Sequence, residues 1–211
     1  MPDLLTPAMM AQAVEELISR DRMFATIVSR YSLPPFWQRE PGFPTLLHII
    51  LEQQVSLASA QAAYNRLLKR CSPLTAQNFL QLTDSDLKQI GFSRQKTGYG
   101  RAIAQSILDN TLALGQLETL NDGAVRDHLM GIKGIGVWTA NTYLLMALRR
   151  PDVWPKGDLA LQVAIQTVKA LPKRPTAEEA AIMSAQWHPW RAVAARLLWH
   201  FYLSERQQTY S

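Results

Sequence analysis

The stretch from Leu129 to Gln162, LMGIKGIGVWTANTYLLMALRRPDVWPKGDLALQ, constrains this chain more than any other. It opens on small residues, Gly131-Ile132-Lys133-Gly134-Ile135-Gly136, that suit a tight hairpin. A helix rich in Ala, Leu and Tyr follows, then a proline-bounded loop that presents one acid, Asp158. Gly134 and Gly136 carry no Cβ, so backbone N–H groups there can approach a ligand closely. The second glycine opens a helix, whose unsatisfied N–H groups and dipole favour an anion such as phosphate. A GxG on its own is more simply a turn between two core helices, and only its context gives it weight.

Composition sets the outer limits. The chain has 211 residues, enough for one large domain or two small lobes, and 47% are hydrophobic, enough to bury a core. Lys and Arg number 22 against 17 Asp and Glu, a net charge of +5 that permits nucleic-acid binding without requiring it. The single cysteine, Cys71, excludes an intrachain disulfide and any multi-thiolate metal cluster. His48, His128, His188 and His200 show no HxxxH or HExxH spacing, so a zinc site is not expected. Apolar runs stop short of the ~18 residues of a membrane span, and the N-terminus lacks a signal-peptide pattern. The expectation is an intracellular protein, cytoplasmic if bacterial, with no membrane partner.

The chain reads as helices throughout. Thr6-Pro7 starts one that runs to about Arg20, and Asp21 caps a second ending near Tyr31. Residues 32–42, with Pro34, Pro35 and Pro41, form a loop. Pro44 starts a buried helix ending in Gln53-Gln54, and Ser56 caps the next, 57–69. Thr75 and Thr83 cap short helices at 76–82 and 84–90. Ser93 caps one through Asn110, whose basic start, Arg94-Gln95-Lys96, either touches phosphate or faces solvent. Residues 115–122 connect to a hairpin unit at 123–148, whose first helix Asp122 caps. Thr176 and Glu179 match a capping box, and Pro189 starts the last long helix, which carries Trp199. The polar tail after Arg206 is expected to be loose. No segment sustains period-two alternation.

Two places carry more than one reading. Asp158 precedes a helix at 159–170, where an N-cap is an ordinary job for aspartate. Beside a hairpin suited to an anion, the same carboxylate is also a candidate for catalysis. Gln53-Gln54 is either a solvated loop or a functional tip, since paired glutamines are unusual in a core.

The pattern LxGIxGIGxWTA, with an acid twenty residues beyond the tryptophan inside PKGDLAL, resembles the helix-hairpin-helix (HhH-GPD) DNA glycosylases. The likeness is nearest to the 3-methyladenine DNA glycosylase II branch and covers roughly residues 40–206. It implies an all-α, two-lobed single domain over 1–211 with a DNA-binding cleft between the lobes and no N-terminal β domain. Lobe A would span about 43–156, including the helix-hairpin-helix at 123–148. Lobe B would join about 1–42 to 157–211. The resemblance also assigns roles. Asp158 is the catalytic carboxylate. Trp138, Trp199 and Tyr143 surround the extruded base. Gln54, or failing it Gln53, wedges into the duplex. Lys133, Gly134, Ile135, Gly136 and Thr139 meet phosphate. The backbone carbonyls of Met130, Ile132 and Ile135 hold a structural Na+ or K+. No cofactor is implied for catalysis, nor an iron–sulfur cluster. The partner implied is double-stranded DNA with a damaged base, bound by a monomer.

This chain departs from the pattern in informative ways. Lys133 stands where proline is usual. Trp138 stands where glycosylase/lyases carry the Schiff-base lysine, which implies a monofunctional enzyme. An electron-rich wall suits cationic bases such as 3-methyladenine and 7-methylguanine. Hydrolysis of their N-glycosidic bonds by base flipping, leaving an abasic site, is the expected activity. The branch has an aromatic four residues past the tryptophan, where this chain has Thr142; Tyr143 is turned about 100° away. That leaves ethenoadenine and hypoxanthine open as substrates, an oxidised- or mismatched-base glycosylase as a weaker reading, and a non-catalytic helix-hairpin-helix DNA-binding module as the alternative of another class.

Overall fold

The computed structural model describes residues 4–207, and among these every regular element is a helix. In chain order they are α1 (Pro7–Arg20), α2 (Arg22–Tyr31), α3 (Phe43–Glu52), α4 (Leu57–Arg70), α5 (Ala76–Leu80), α6 (Asp84–Ile90), α7 (Arg94–Leu108), α8 (Asp122–Met130), α9 (Val137–Met146), α10 (Leu159–Val168), α11 (Ala177–Ser184) and α12 (Arg191–Glu205). Short 3-10 turns at Leu114–Thr119 and Ala185–Trp187 complete the set. The all-α expectation holds. The polar tail beyond Gln207 lies outside the described residues.

Capping explains why the helices start where they do. Thr6, Asp21, Ser56, Thr75, Thr83, Ser93, Asp158 and Thr176 each accept a backbone N–H from the first turn that follows. Each satisfies a donor that the helix itself cannot. One expected cap moves. Asn121, not Asp122, caps α8, accepting from Ala124 N–H at 2.9 Å. Asp122 falls in the first turn, where its charge meets the positive end of the dipole. The connection at 115–122 also contains a 3-10 turn that has no apolar periodicity to announce it.

The described chain divides into two compact units, Arg39–Tyr143 and residues 4–38 with 144–207. The sequence reading put the boundary near 156; it falls at Tyr143. The reason lies in the bonds that residues 144–151 make. Leu5 N–H donates to Arg149 O at 2.8 Å, Arg196 Nη2 to Leu145 O at 3.0 Å, and Ala192 N–H to Pro151 O at 3.0 Å.

Each unit has one central helix. In the first it is α3, buried from Thr45 to Glu52 and packed on α4 and α7. Its polar residues are all engaged. Thr45 Oγ1 donates to Glu40 O, and His48 lies flat on Tyr64 with ring centroids 4.1 Å apart. Glu52 takes the Arg39 guanidinium in two bonds of 2.6 and 3.0 Å. Burial, then the Arg39 charge, lowers His48 to about 3, so it is neutral. In the second unit the central helix is α12, buried from Ala192 to Trp199 and packed on α10, α2 and α1. Arg196 is fully enclosed there and donates to Trp37 O as well as to Leu145 O.

Candidate functional site

The hairpin at 131–136 joins α8 to α9 within the first unit. Gly131 N–H closes the last turn of α8 on Asp127 O at 3.1 Å, and Ile132 N–H bonds Leu129 O at 3.1 Å. The side chains of Ile132 and Ile135 are buried and anchor the turn, while Lys133 and Gly136 are exposed. The two glycines serve different purposes. Gly134 has φ +98°, and a Cβ there would lie 2.2 Å from Tyr99 Cγ. Conformation and packing by α7 both exclude any other residue. A Cβ on Gly136 would meet nothing within 4 Å, so its outer face is open. Gly136 O accepts Ala140 N–H at 3.0 Å, which makes Gly136 the cap and leaves the N–H of Val137 outside the intrahelical ladder.

Two expected phosphate donors are used differently. Ile135 N–H donates to Ile132 O at 3.1 Å inside the turn, so it stiffens the hairpin instead of pointing outward. Thr139 is 1% exposed, and its hydroxyl accepts from Gln53 Nε2 at 2.9 Å. The second proton of that amide goes to Gly134 O at 3.0 Å. Gln53 therefore ties the end of α3 to the hairpin. Gln54 next to it is exposed, in the left-handed region with φ +57°. Between the two wedge candidates, Gln54 faces outward and Gln53 faces inward. Lys96, read from the sequence as touching phosphate or facing solvent, is instead engaged within the first unit. Its ammonium donates to Leu51 O at 2.7 Å, and burial lowers its pKa.

Trp138 is half-buried in the first turn of α9, and its carbonyl accepts from Thr142 Oγ1 at 2.8 Å. Tyr143 has no exposed surface, and its hydroxyl accepts from Gly42 N–H at 3.0 Å. Burial pushes that phenol up to about 12. Tyr143 is thus a core residue of the first unit and presents no surface to a base. Trp199, on α12 in the second unit, is 5% exposed.

Asp158 lies in the second unit at the end of the loop 149–157. Val153, Trp154 and Pro155 are buried and fix that loop, and Asp158 N–H bonds Pro155 O at 3.1 Å. The Asp158 carboxylate accepts Leu161 N–H at 3.0 Å and is half-buried, with Leu159 exposed beside it. Six residues upstream, Asp152 receives Arg191 in two bonds of 2.8 Å and His188 Nδ1 at 2.6 Å. Burial pushes the Asp152 carboxyl up, but the bonds from Arg191 and His188 outweigh it, and the net shift is downward. Lys156, the nearest amine in the chain, pairs with exposed Glu178 at 3.1 Å.

Sequence reasoning missed the roles of Gln53 and Tyr99. A glutamine at a helix end and a tyrosine on an amphipathic helix carry no local signal.

A family pattern described as HhH-GPD superfamily base excision DNA repair protein matches residues 47–190. The Bacillus subtilis (strain 168) protein YfjP is 28% identical over 81% of this chain and 66% of its own length. A protein of the same organism named DNA-3-methyladenine glycosylase is 28% identical over 74% of this chain and 56% of its own length. The chain thus spans about two thirds or less of these two relatives. A solved structure of Schizosaccharomyces pombe 3-methyladenine DNA glycosylase (Mag1) with abasic DNA superimposes with a TM-score of 0.83 at 23% identity, covering 92% of this chain and 97% of that one. The likeness to Mag1 extends to the fold.

Proposed function

The chain belongs to the HhH-GPD superfamily of base excision DNA repair proteins, and on that premise we propose that it is a monofunctional DNA glycosylase that hydrolyses the N-glycosidic bond of alkylated purines in duplex DNA. The observation that carries this reading is Asp158, a half-buried carboxylate fixed at a helix start by Leu161 N–H. Relatives named as DNA-3-methyladenine glycosylases support the substrate class.

In the reaction, the C1′–N bond breaks and its electrons leave on the base, so a cationic alkylpurine departs neutral. Positive charge develops on the deoxyribose. A fixed carboxylate stabilises that charge without reorganising at the moment of reaction. A water oxygen then bonds to C1′, and its proton passes to Asp158 or to solvent. The product is an intact abasic site, because Trp138 offers no amine to form a Schiff base. The indole of Trp138 suits a cationic base, an attraction of about 0.5–2 kcal/mol. The exposed Gly136 face and Lys133 supply the phosphate grip, and Gln54 fills the space the base leaves.

The hairpin's carbonyl set fits a monovalent cation. Met130 ends α8, so its carbonyl is one that the helix cannot satisfy. Ile132 O accepts one bond, from Ile135 N–H, and keeps a second lone pair. With Ile135 O these are neutral donors. A bound Na+ or K+ would add a positive charge facing phosphate.

The test is single-turnover excision on duplexes holding one 7-methylguanine, 3-methyladenine, ethenoadenine, hypoxanthine, uracil or 8-oxoguanine. Strand nicking at an alkylpurine only after alkali, lost in Asp158→Asn, is the expected result. Nicking without alkali would make the enzyme a lyase. Intact DNA binding with no excision of any lesion would make the chain a binding module.

A further inference from the structure

Among the described residues, Gln53 stands where two features of the proposed DNA interface meet. Its side-chain amide has two protons, and both are committed across a long sequence separation. One goes to Gly134 O at 3.0 Å and the other to Thr139 Oγ1 at 2.9 Å. A carbonyl oxygen can only accept, so the amide nitrogen must face the hairpin. Gly134 is thereby held from two sides, by this amide and by the Tyr99 ring. Gln53 is also the residue before Gln54, whose backbone sits in the left-handed region that side chains other than glycine seldom adopt. Such a conformation persists only where its surroundings fix it. Here the anchors stand directly upstream. Arg39 holds Glu52 in two bonds, Lys96 holds Leu51 O at 2.7 Å, and Gln53 holds the hairpin.

We infer that Gln53 is a positioning residue whose amide couples the duplex-inserting tip at Gln54 to the phosphate-binding hairpin at Gly134. The inference rests on the proposed DNA-glycosylase reading and deepens it. Seating a phosphate on the hairpin and driving Gln54 into the stack become one event, because the two elements move as a unit. Hydrogen bonds that link two elements in this way give non-additive mutational effects.

The experiment uses the full chain as wild type, Gln53→Met, Gln53→Glu, Thr139→Val, Gln54→Ala and the Gln53→Met/Gln54→Ala double variant. Excision of 7-methylguanine is measured in a paired duplex and in single-stranded DNA, where little unstacking is needed. Losing both bonds in Gln53→Met is expected to slow duplex excision about tenfold and single-strand excision by clearly less, since a single strand still meets the hairpin but leaves no gap to fill. Thr139→Val, which removes one bond, falls in between. Gln53→Glu falls below Met, because it sets an acceptor against the Gly134 carbonyl. The double variant is expected to be no slower than the slower single variant. A second readout needs no chemistry: 2-aminopurine placed opposite a tetrahydrofuran abasic analogue changes fluorescence when the gap is filled. At saturating protein, Gln53→Met is expected to lose that change as Gln54→Ala does. Equal losses on both substrates, additive single effects, or a full fluorescence change in Gln53→Met would each overturn the inference. A wild type that fills the gap but excises no lesion would instead sink the glycosylase reading and leave the coupling standing.

Discussion

Helices α9 and α10 both begin on an irregular turn with a proposed role, and the two turns are secured by different forces. The hairpin before α9 is held by neutral contacts. These are the buried side chains of Ile132 and Ile135, the Tyr99 ring against Gly134, and the Gln53 amide. The loop before α10 combines buried Val153, Trp154 and Pro155 with an ion cluster in which Asp152 receives Arg191 and His188. Neutral contacts do not titrate, whereas the cluster works only while Asp152 is charged. A turn proposed to accept a polyanion would gain from keeping its own supports uncharged. A turn that carries a single carboxylate can rest on an ion pair without disturbing its role.

The contrast can be broken first at Asp158. Asn caps helices about as well as Asp, so Asp158→Asn removes charge and keeps the bond to Leu161. Single-turnover excision should fall roughly a thousandfold while thermal unfolding is unchanged. Asp158→Ala should lose the same activity and also about 1 kcal/mol of stability, measured by urea unfolding.

The glycines sharpen the other side. Gly134→Ala should cost roughly 2–4 kcal/mol in urea unfolding, since it strains a φ of +98° and drives a Cβ into Tyr99. Gly136→Ala, with open space around it, should stay within about 1 kcal/mol of wild type in stability. Its effect should appear in DNA affinity by titration, because a methyl group blocks close phosphate approach. If Gly136→Ala proves as destabilising as Gly134→Ala, the open face assigned to Gly136 is wrong.

The last test is the pH dependence at Asp152. Asp152→Asn should lower stability by about 1–3 kcal/mol at pH 7. The folded carboxyl is held below its ordinary value, so its contribution is present above about pH 4 and is lost as pH falls through the lowered value. Wild-type and variant unfolding curves should converge in acid. The Gln53 contribution, being neutral, should show no such convergence.

The sequence alone determined the helices, most of their caps, and the hairpin with an acid a fixed distance beyond it. Those features depend on neighbours within a few residues. A threonine or serine oxygen reaches the N–H three positions on, as Thr6, Ser56, Ser93 and Thr176 do. Tertiary structure decided which hairpin groups are left to act. Ile135 N–H turned inward, the Thr139 hydroxyl was taken by a glutamine, and Tyr143 was drawn into the core by Gly42 N–H. The bond from Gln53 to Gly134 joins residues 81 positions apart. No periodicity or cap records such a bond, because it exists only once packing has brought α3, α7 and the hairpin together.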